Sequence, residues 1–100
     1  MPYKLEIKEE AMLDIVVGAA WYSDKQEGLD KKFLLTVENT FKSIQKNPYA
    51  YKKGYQDCRE AGVRKFPYLI VYKIEDTSVV VFAVFNTWQN PRKKIKRIKN

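Results

Sequence analysis

The stretch that decides the fold is Arg64–Trp88, RKFPYLIVYKIEDTSVVVFAVFNTW. Phe66, Tyr68, Ile70, Tyr72 and Ile74 fall at every second position and share one face of a strand. Pro67, Leu69 and Val71 take the other face, and they are apolar too. Val79 to Phe85 is apolar at every position and rich in Val and Phe, residues that suit a pleated surface. Glu75-Asp76-Thr77-Ser78 supplies a polar turn between the two runs. Strands apolar on both faces are central and covered on both sides. In so short a chain, one cover comes from the remaining residues, and the second is expected from a partner.

Upstream, Tyr3 to Ile7 (YKLEI) alternates apolar and charged residues and reads as a short strand. Glu9 and Glu10 open a helix, where negative charge suits the positive end of the macrodipole. Met12, Ile15, Val16, Ala19 and Tyr22 follow at spacings of three and four and form its inner face. Gly28 ends this helix or lies in the turn beyond. A second helix runs over about Leu29–Lys46, with Leu29, Phe33, Val37, Phe41 and Ile44 on one stripe. Asn47-Pro48 stops it, because proline cannot donate to the helix ladder. The short connection makes an antiparallel helical hairpin, and its stripes are core rather than a cofactor box.

Tyr49–Tyr55 (YAYKKGY) reads as a loop, and Gln56–Glu60 begins a further strand that Gly62 breaks. After Trp88 come Gln89-Asn90-Pro91 and a basic tail at 92–100, RKKIKRIKN. Two readings of the tail stand open: a mobile, solvated run of like charge, or a helical turn that docks Ile95 and Ile98 on the body. The order is β-α-α-β-β-β. It predicts a single α+β domain over residues 1–100, with the hairpin packed on one face of a mainly antiparallel sheet.

Composition narrows the function. A chain of 100 residues buries roughly 60–70% of its unfolded surface, enough for a core without disulfides or metal. The single cysteine, Cys58, cannot bridge internally and reads as a small buried hydrophobe in a reducing, cytoplasmic setting. The N-terminus carries acids where a signal peptide needs an apolar run, and no segment has the length of a membrane span. There is no histidine, which removes the usual proton shuttle and the commonest metal ligand, so neither a cofactor nor a metal site is expected. Residues 1–51 hold seven Lys against eight acids, net −1; residues 52–100 hold twelve Lys and Arg against four acids, net +8. A basic half with aromatic residues is the footprint of a phosphate-rich or acidic partner.

Taken together, the pieces resemble a known family. They are the early strand, the hairpin ending in Asn47-Pro48, Arg59, Arg64-Lys65-Phe66-Pro67-Tyr68-Leu69-Ile70-Val71-Tyr72, and a valine-rich strand running into Asn86-Thr87-Trp88-Gln89-Asn90-Pro91. The chain resembles the RelE/ParE superfamily, the toxins of bacterial type II toxin–antitoxin pairs. The resemblance implies a small basic toxin, associated with growth inhibition and plasmid stabilisation, that a cognate antitoxin neutralises. RelE-like members cleave messenger RNA in the ribosome; ParE-like members act on DNA gyrase.

Three readings follow. The first is a ParE-like toxin that acts by binding a macromolecular target. The second is a RelE-like, ribosome-dependent endoribonuclease with an atypical residue set. The third is a basic interaction module without toxicity. Arg59, Arg64 and Lys65 are the catalytic candidates, because paired guanidinium groups clamp phosphate bidentately. Where nuclease-type members place His or Arg after the last strand, this chain has Asn86 and Gln89, which transfer no proton near neutrality. Lys52, Lys53, Arg59, Arg64, Lys65, Asn86, Trp88, Gln89 and Arg92 are the candidates for contact with nucleic acid or a partner. Trp88 stacks a base, anchors an antitoxin or packs on the tail. Without its antitoxin the chain is expected to self-associate as a homodimer through an uncovered sheet face.

Overall fold

The computed structural model describes residues 2–99. The element order is β1 (Lys4–Ile7), α1 (Glu9–Lys25), α2 (Leu29–Lys46), β2 (Lys52–Lys53), β3 (Arg59–Gly62), β4 (Tyr68–Glu75), β5 (Ser78–Asn86) and α3 (Pro91–Lys99). The five strands form one sheet in the order β1-β5-β4-β3-β2. β1 runs parallel to β5 and every other pair is antiparallel. This is the expected hairpin on a mainly antiparallel sheet, with one strand and one helix more than expected.

The hairpin turns at Gly28, whose φ of 82° lies in the left-handed region that glycine enters without a Cβ clash. From α1, Ala11, Ile15 and Gly18 are buried; from α2, Phe33, Val37, Phe41 and Ile44. They meet Tyr68, Ile70 and Tyr72 of β4, with Phe66 and Ile74 packed alongside, so the alternation expected in β4 holds. Tyr22, Phe33, Phe66 and Tyr68 interlock, with ring centroids 4.9–6.3 Å apart. Such tilted and edge-on pairs stabilise by about 0.5–1.5 kcal/mol each beyond burial.

In β5 the alternation breaks. Val79, Val81 and Val84 face the helices, whereas Ala83 and Phe85 face the other way. The register explains the change of parity: Val71 pairs with Ala83 and Tyr72 with Val81, leaving Phe82 as an extra residue in a β-bulge. Lys8 and Lys73 place their ammonium groups 5.4 and 5.6 Å from the Phe82 ring.

Three expectations need correction. The second sheet face is not left for a partner. α3 covers it, inserting Ile98 (5% exposed) among Cys58, Val71, Ala83 and Phe85. The tail is therefore the docking helix of the two alternatives. Asn90 accepts the Arg92 N–H at 2.9 Å and Pro91 takes the first helical position, which together start the helix. The strand expected from Gln56 begins instead at Arg59, because Gln56 and Asp57 have φ of 49° and 63°, which no strand accommodates. Gly62 ends that strand, as expected, whereas Lys52–Lys53, expected in a loop, pair with it as the sheet's edge.

Candidate functional site

The candidate residues fall into three groups. At the β2 edge, Lys52 and Lys53 are exposed, and Lys53 lies 3.5 Å from Asp57. Arg59 belongs to the same edge but turns inward. Its Nη1 donates to the Tyr51 carbonyl at 2.6 Å and the Tyr49 carbonyl at 3.3 Å, and its guanidinium lies 5.3 Å from the Tyr49 ring. Those contacts hold the 49–51 turn in place. Arg59 also faces Tyr72, whose hydroxyl donates to the Pro48 carbonyl at 2.6 Å. Burial pushes the Tyr72 hydroxyl up to about 12, against a smaller lowering influence from Arg59.

The second group lies between α1 and the end of β5. Here Asn86 and Gln89 line a cleft of about 340 Å³ with Leu13, Val17 and Trp21. β1 pairs with β5 only as far as Val81, so the β5 edge beyond it has no strand neighbour. Two side chains stand in for one. Asp14 Oδ2 accepts the Val84 N–H at 3.0 Å, and Arg97 Nη2 donates to the Phe82 carbonyl at 3.0 Å. The two also pair with each other through both carboxylate oxygens, at 3.1 and 2.9 Å. Sequence reading assigned neither residue a role. Their signal was Asp14, the lone acid inside an otherwise apolar helix run.

The third group contains Arg64, Lys65 and Trp88. Lys65 sits at φ 69° in the turn before β4, which leaves Arg64 and Lys65 exposed beside α2. Thr87 donates to the Pro67 carbonyl through its N–H at 2.8 Å and its hydroxyl at 3.1 Å, and Trp88 N–H donates to Asn86 Oδ1 at 2.9 Å. Trp88 is thus held on a braced turn while its ring stays 80% exposed. Arg92 stands apart, exposed on the first turn of α3.

Titration of the buried groups moves away from neutrality. Burial raises the Tyr22, Cys58 and Tyr68 groups; at Tyr68 a hydrogen bond with Asn86 acts weakly in the opposite direction. Among the described residues, no three Cys, Asp or Glu side chains gather as metal ligands do.

Apolar side chains also stand exposed along both hairpin helices. Met12, Leu13, Val16, Val17 and Trp21 are 47–60% exposed along α1, and Leu34 and Leu35 of α2 are 42% and 57% exposed. Met12 and Val16, expected in the core, belong to this outer stripe. The inner face is the row of Ala11, Ile15 and Gly18, with Ala19 and Tyr22, as expected, packed against the core beside it.

Residues 5–91 match the family described as the ParE toxin of the type II toxin–antitoxin system parDE. The chain belongs to the ParE toxin family. It is 24% identical over 92 residues to Toxin ParE2 of Mycobacterium tuberculosis (strain H37Rv), covering 91% of this chain and 88% of that protein. Its fold is shared with a chain of the chromosomal ParDE toxin–antitoxin system from P. aeruginosa: TM-score 0.72, 15% identity, 84% of this chain and 95% of the other. A doubly substituted RelE toxin from E. coli in the free state aligns with TM-score 0.63 and 17% identity, over 99% and 97% of the two chains. The RelE/ParE resemblance read from the sequence is therefore confirmed, and the protein is a ParE-like toxin of a type II system.

Proposed function

We propose that this ParE-family toxin is neutralised by a cognate antitoxin seated on the outer α1 stripe, and that it arrests growth by binding a macromolecular target. The supporting observation is the stripe itself. Five large apolar residues stand exposed on one helix, although the chain covers both faces of its own sheet. Contiguous apolar surface of this kind marks an interaction site, and an apolar helix or extended segment is the usual occupant. The fold shared with a chain of the P. aeruginosa ParDE toxin–antitoxin system fits that reading.

For the mode of action, the candidate cations do not converge on one phosphate. Arg59 is tied to backbone carbonyls, while Arg64 and Lys65 stand beside α2. The titratable groups with clear shifts move away from the range where a base or acid works. Both features favour binding over strand cleavage. Among the described residues, no helix is long and apolar enough to cross a membrane, and the cytoplasm, where gyrase and ribosomes work, is the proposed site of action.

Inducible expression with and without the neighbouring gene tests the proposal. Growth should arrest with the toxin alone and recover with the pair. Val17→Lys should keep the fold but lose the rescue, since Val17 is 60% exposed. Arrest accompanied by cleaved messenger RNA, with cleavage lost in both Arg59→Ala and Arg64→Ala, would overturn the binding reading in favour of a nuclease. Absence of arrest would return the chain to a basic interaction module.

A further inference from the structure

A groove made of two neighbouring hollows runs along α2, away from the α1 stripe. At one end its lining includes Tyr22, Phe66, Pro67 and Trp88. At the other it includes Asn39, Ser43 and Tyr51. Thr36 and Lys65 line both ends, so the two hollows are adjacent. Lys32, Lys65 and Arg64 border it, no Asp or Glu lines it, and among the described residues none of the three cations makes an ion pair. The α1–β5 cleft differs in this respect, since Asp14 neutralises Arg97 there.

The two walls differ in chemistry. The turn wall carries Arg64 and Lys65. The α2 wall carries Lys32, Thr36, Asn39 and Thr40, and the two threonine hydroxyl hydrogens are already donated to the Lys32 and Thr36 carbonyls at 2.7 Å. Those hydroxyl oxygens are left as acceptors. A ligand that fits is anionic where it meets Lys32, Arg64 and Lys65, offers N–H or O–H donors to the threonines, and presents a flat apolar face to Trp88. A stretch of glutamates satisfies only the cations. A duplex shows phosphates but keeps its bases stacked inside, out of reach of Trp88. An unpaired nucleotide strand has phosphates on one side and stackable, donor-bearing bases on the other.

We infer that this groove binds single-stranded nucleic acid, with phosphates on Lys32, Arg64 and Lys65 and a base stacked on Trp88. From Lys32 to Ser43 the α2 wall extends about 17 Å at the helical rise. That is room for about five phosphates at the spacing of one strand in a duplex, and fewer in an extended strand. The inference rests on the binding-type toxin reading for its purpose, since an unwound segment is what a toxin acting on a nucleic-acid machine would meet. The contact itself is a property of the groove.

Fluorescence anisotropy of a labelled 12-nucleotide single strand, as DNA and as RNA, tests it on the purified chain. The same-sequence duplex and a 12-residue polyglutamate serve as competitors. One or both single strands should bind more tightly than either competitor. Trp88→Ala should weaken binding about tenfold to a hundredfold, the loss expected for one stacked base. Arg64→Ala and Lys65→Ala should each reduce the slope of log K against log salt by about 0.7. Lys93→Ala, exposed on α3 away from the groove, sets the change expected from charge loss alone. Equal binding of duplex, equal competition by polyglutamate, no binding at all, or a Trp88→Ala effect no larger than that of Lys93→Ala would each overturn the inference. The toxin reading fails separately, through absence of growth arrest, so the two failures are distinguishable.

Discussion

Replacing Asp14 by alanine removes three contacts at once, and the structure ranks them. Its carboxylate accepts the Val84 N–H at 3.0 Å and pairs with Arg97 at 2.9 and 3.1 Å. Asp14 and Arg97 are both less than a quarter exposed. Losing the acceptor leaves an edge N–H unpaired beneath α1, a cost of about 1–3 kcal/mol. Losing the ion pair adds about 1 kcal/mol, the upper end for pairs reached by water. Alanine's better helix propensity returns about 0.5 kcal/mol. The net expectation is a destabilisation of about 1.5–3.5 kcal/mol. Arg97→Ala should cost less, about 1–2 kcal/mol, because Asp14 keeps the Val84 N–H and only the pair and the Phe82 carbonyl bond are lost. Asp14→Asn keeps an acceptor oxygen and loses only the charge, so it should cost about 1 kcal/mol. The Glu10 contact at 3.3 Å adds little, since Glu10 is 69% exposed.

Urea denaturation of the three single variants and of the Asp14→Ala/Arg97→Ala double variant measures these differences, with the pair's coupling read from the cycle. For a domain of this size each kcal/mol corresponds to about 4–8 °C in Tm, so melting curves suffice to rank them. The reasoning is refuted if Arg97→Ala costs as much as Asp14→Ala. It is equally refuted if asparagine is no better than alanine, because the backbone edge would then not be what Asp14 serves.

Other consequences follow from the same coordinates. Ile98→Ala should destabilise by about 2–4 kcal/mol through the cavity left against Val71 and Phe85, and dye binding to the uncovered sheet face should rise in parallel. Gly18→Ala places a Cβ 3.0 Å from the Phe33 ring and 3.1 Å from the Tyr68 hydroxyl. Phe33 is fully buried among three other rings and cannot yield, so a melting curve should show a loss of about 1–3 kcal/mol despite alanine's better helix propensity. Tyr72 ionises at about 12 in the fold against 10.0 when unperturbed. Its stabilisation is therefore complete below pH 10 and lost as pH rises toward 12, by up to about 1.4 kcal/mol per pH unit. Tyr72→Phe should flatten the alkaline limb of a stability–pH curve, leaving the parts due to Tyr22 and Tyr68, which burial also raises.

The hairpin, the central strands and the face shared by Phe66 through Ile74 were legible because each rests on a local period. What was not legible rests on distant pairings. The bulge at Phe82 leaves no trace in Val79–Phe85, since a run apolar at every position reads the same in either parity. The start of β3 was misplaced because Gln56 and Asp57 adopt positive φ, which neither residue type announces. The Asn90-Pro91 start and the Ile95/Ile98 pair did carry the signal of α3, but six basic residues in nine read equally well as a solvated tail. Only the location of Cys58, Val71, Ala83 and Phe85 beneath Ile98 decides between them. Of the site candidates, Arg64, Lys65 and Trp88 converge on one groove, while Lys52, Lys53, Asn86, Gln89 and Arg92 do not join them.

The misread helix carries the functional lesson. Between Ala11 and Tyr22, α1 holds a single charged residue, Asp14, which the fold spends on its own β5 edge. A helix apolar on every side is normally covered on every side, and the sheet and α2 cover only the side that carries Ala11, Ile15, Gly18, Ala19 and Tyr22. Read from the sequence alone, the shortage of cover falls on the sheet, because α3 is not counted as cover. Once Ile98 seals that face, the shortage moves to Leu13, Val16, Val17 and Trp21, on the acid-balanced half of the chain. The unpaired cations Lys32, Arg64 and Lys65 lie across α2 from it. Apolar stripe and cationic groove thus occupy different surfaces, so a partner that covers the first need not fill the second. Neutralisation and target contact are then separable by mutation: Val17→Lys should abolish rescue while leaving nucleic-acid binding intact, and Trp88→Ala should do the reverse.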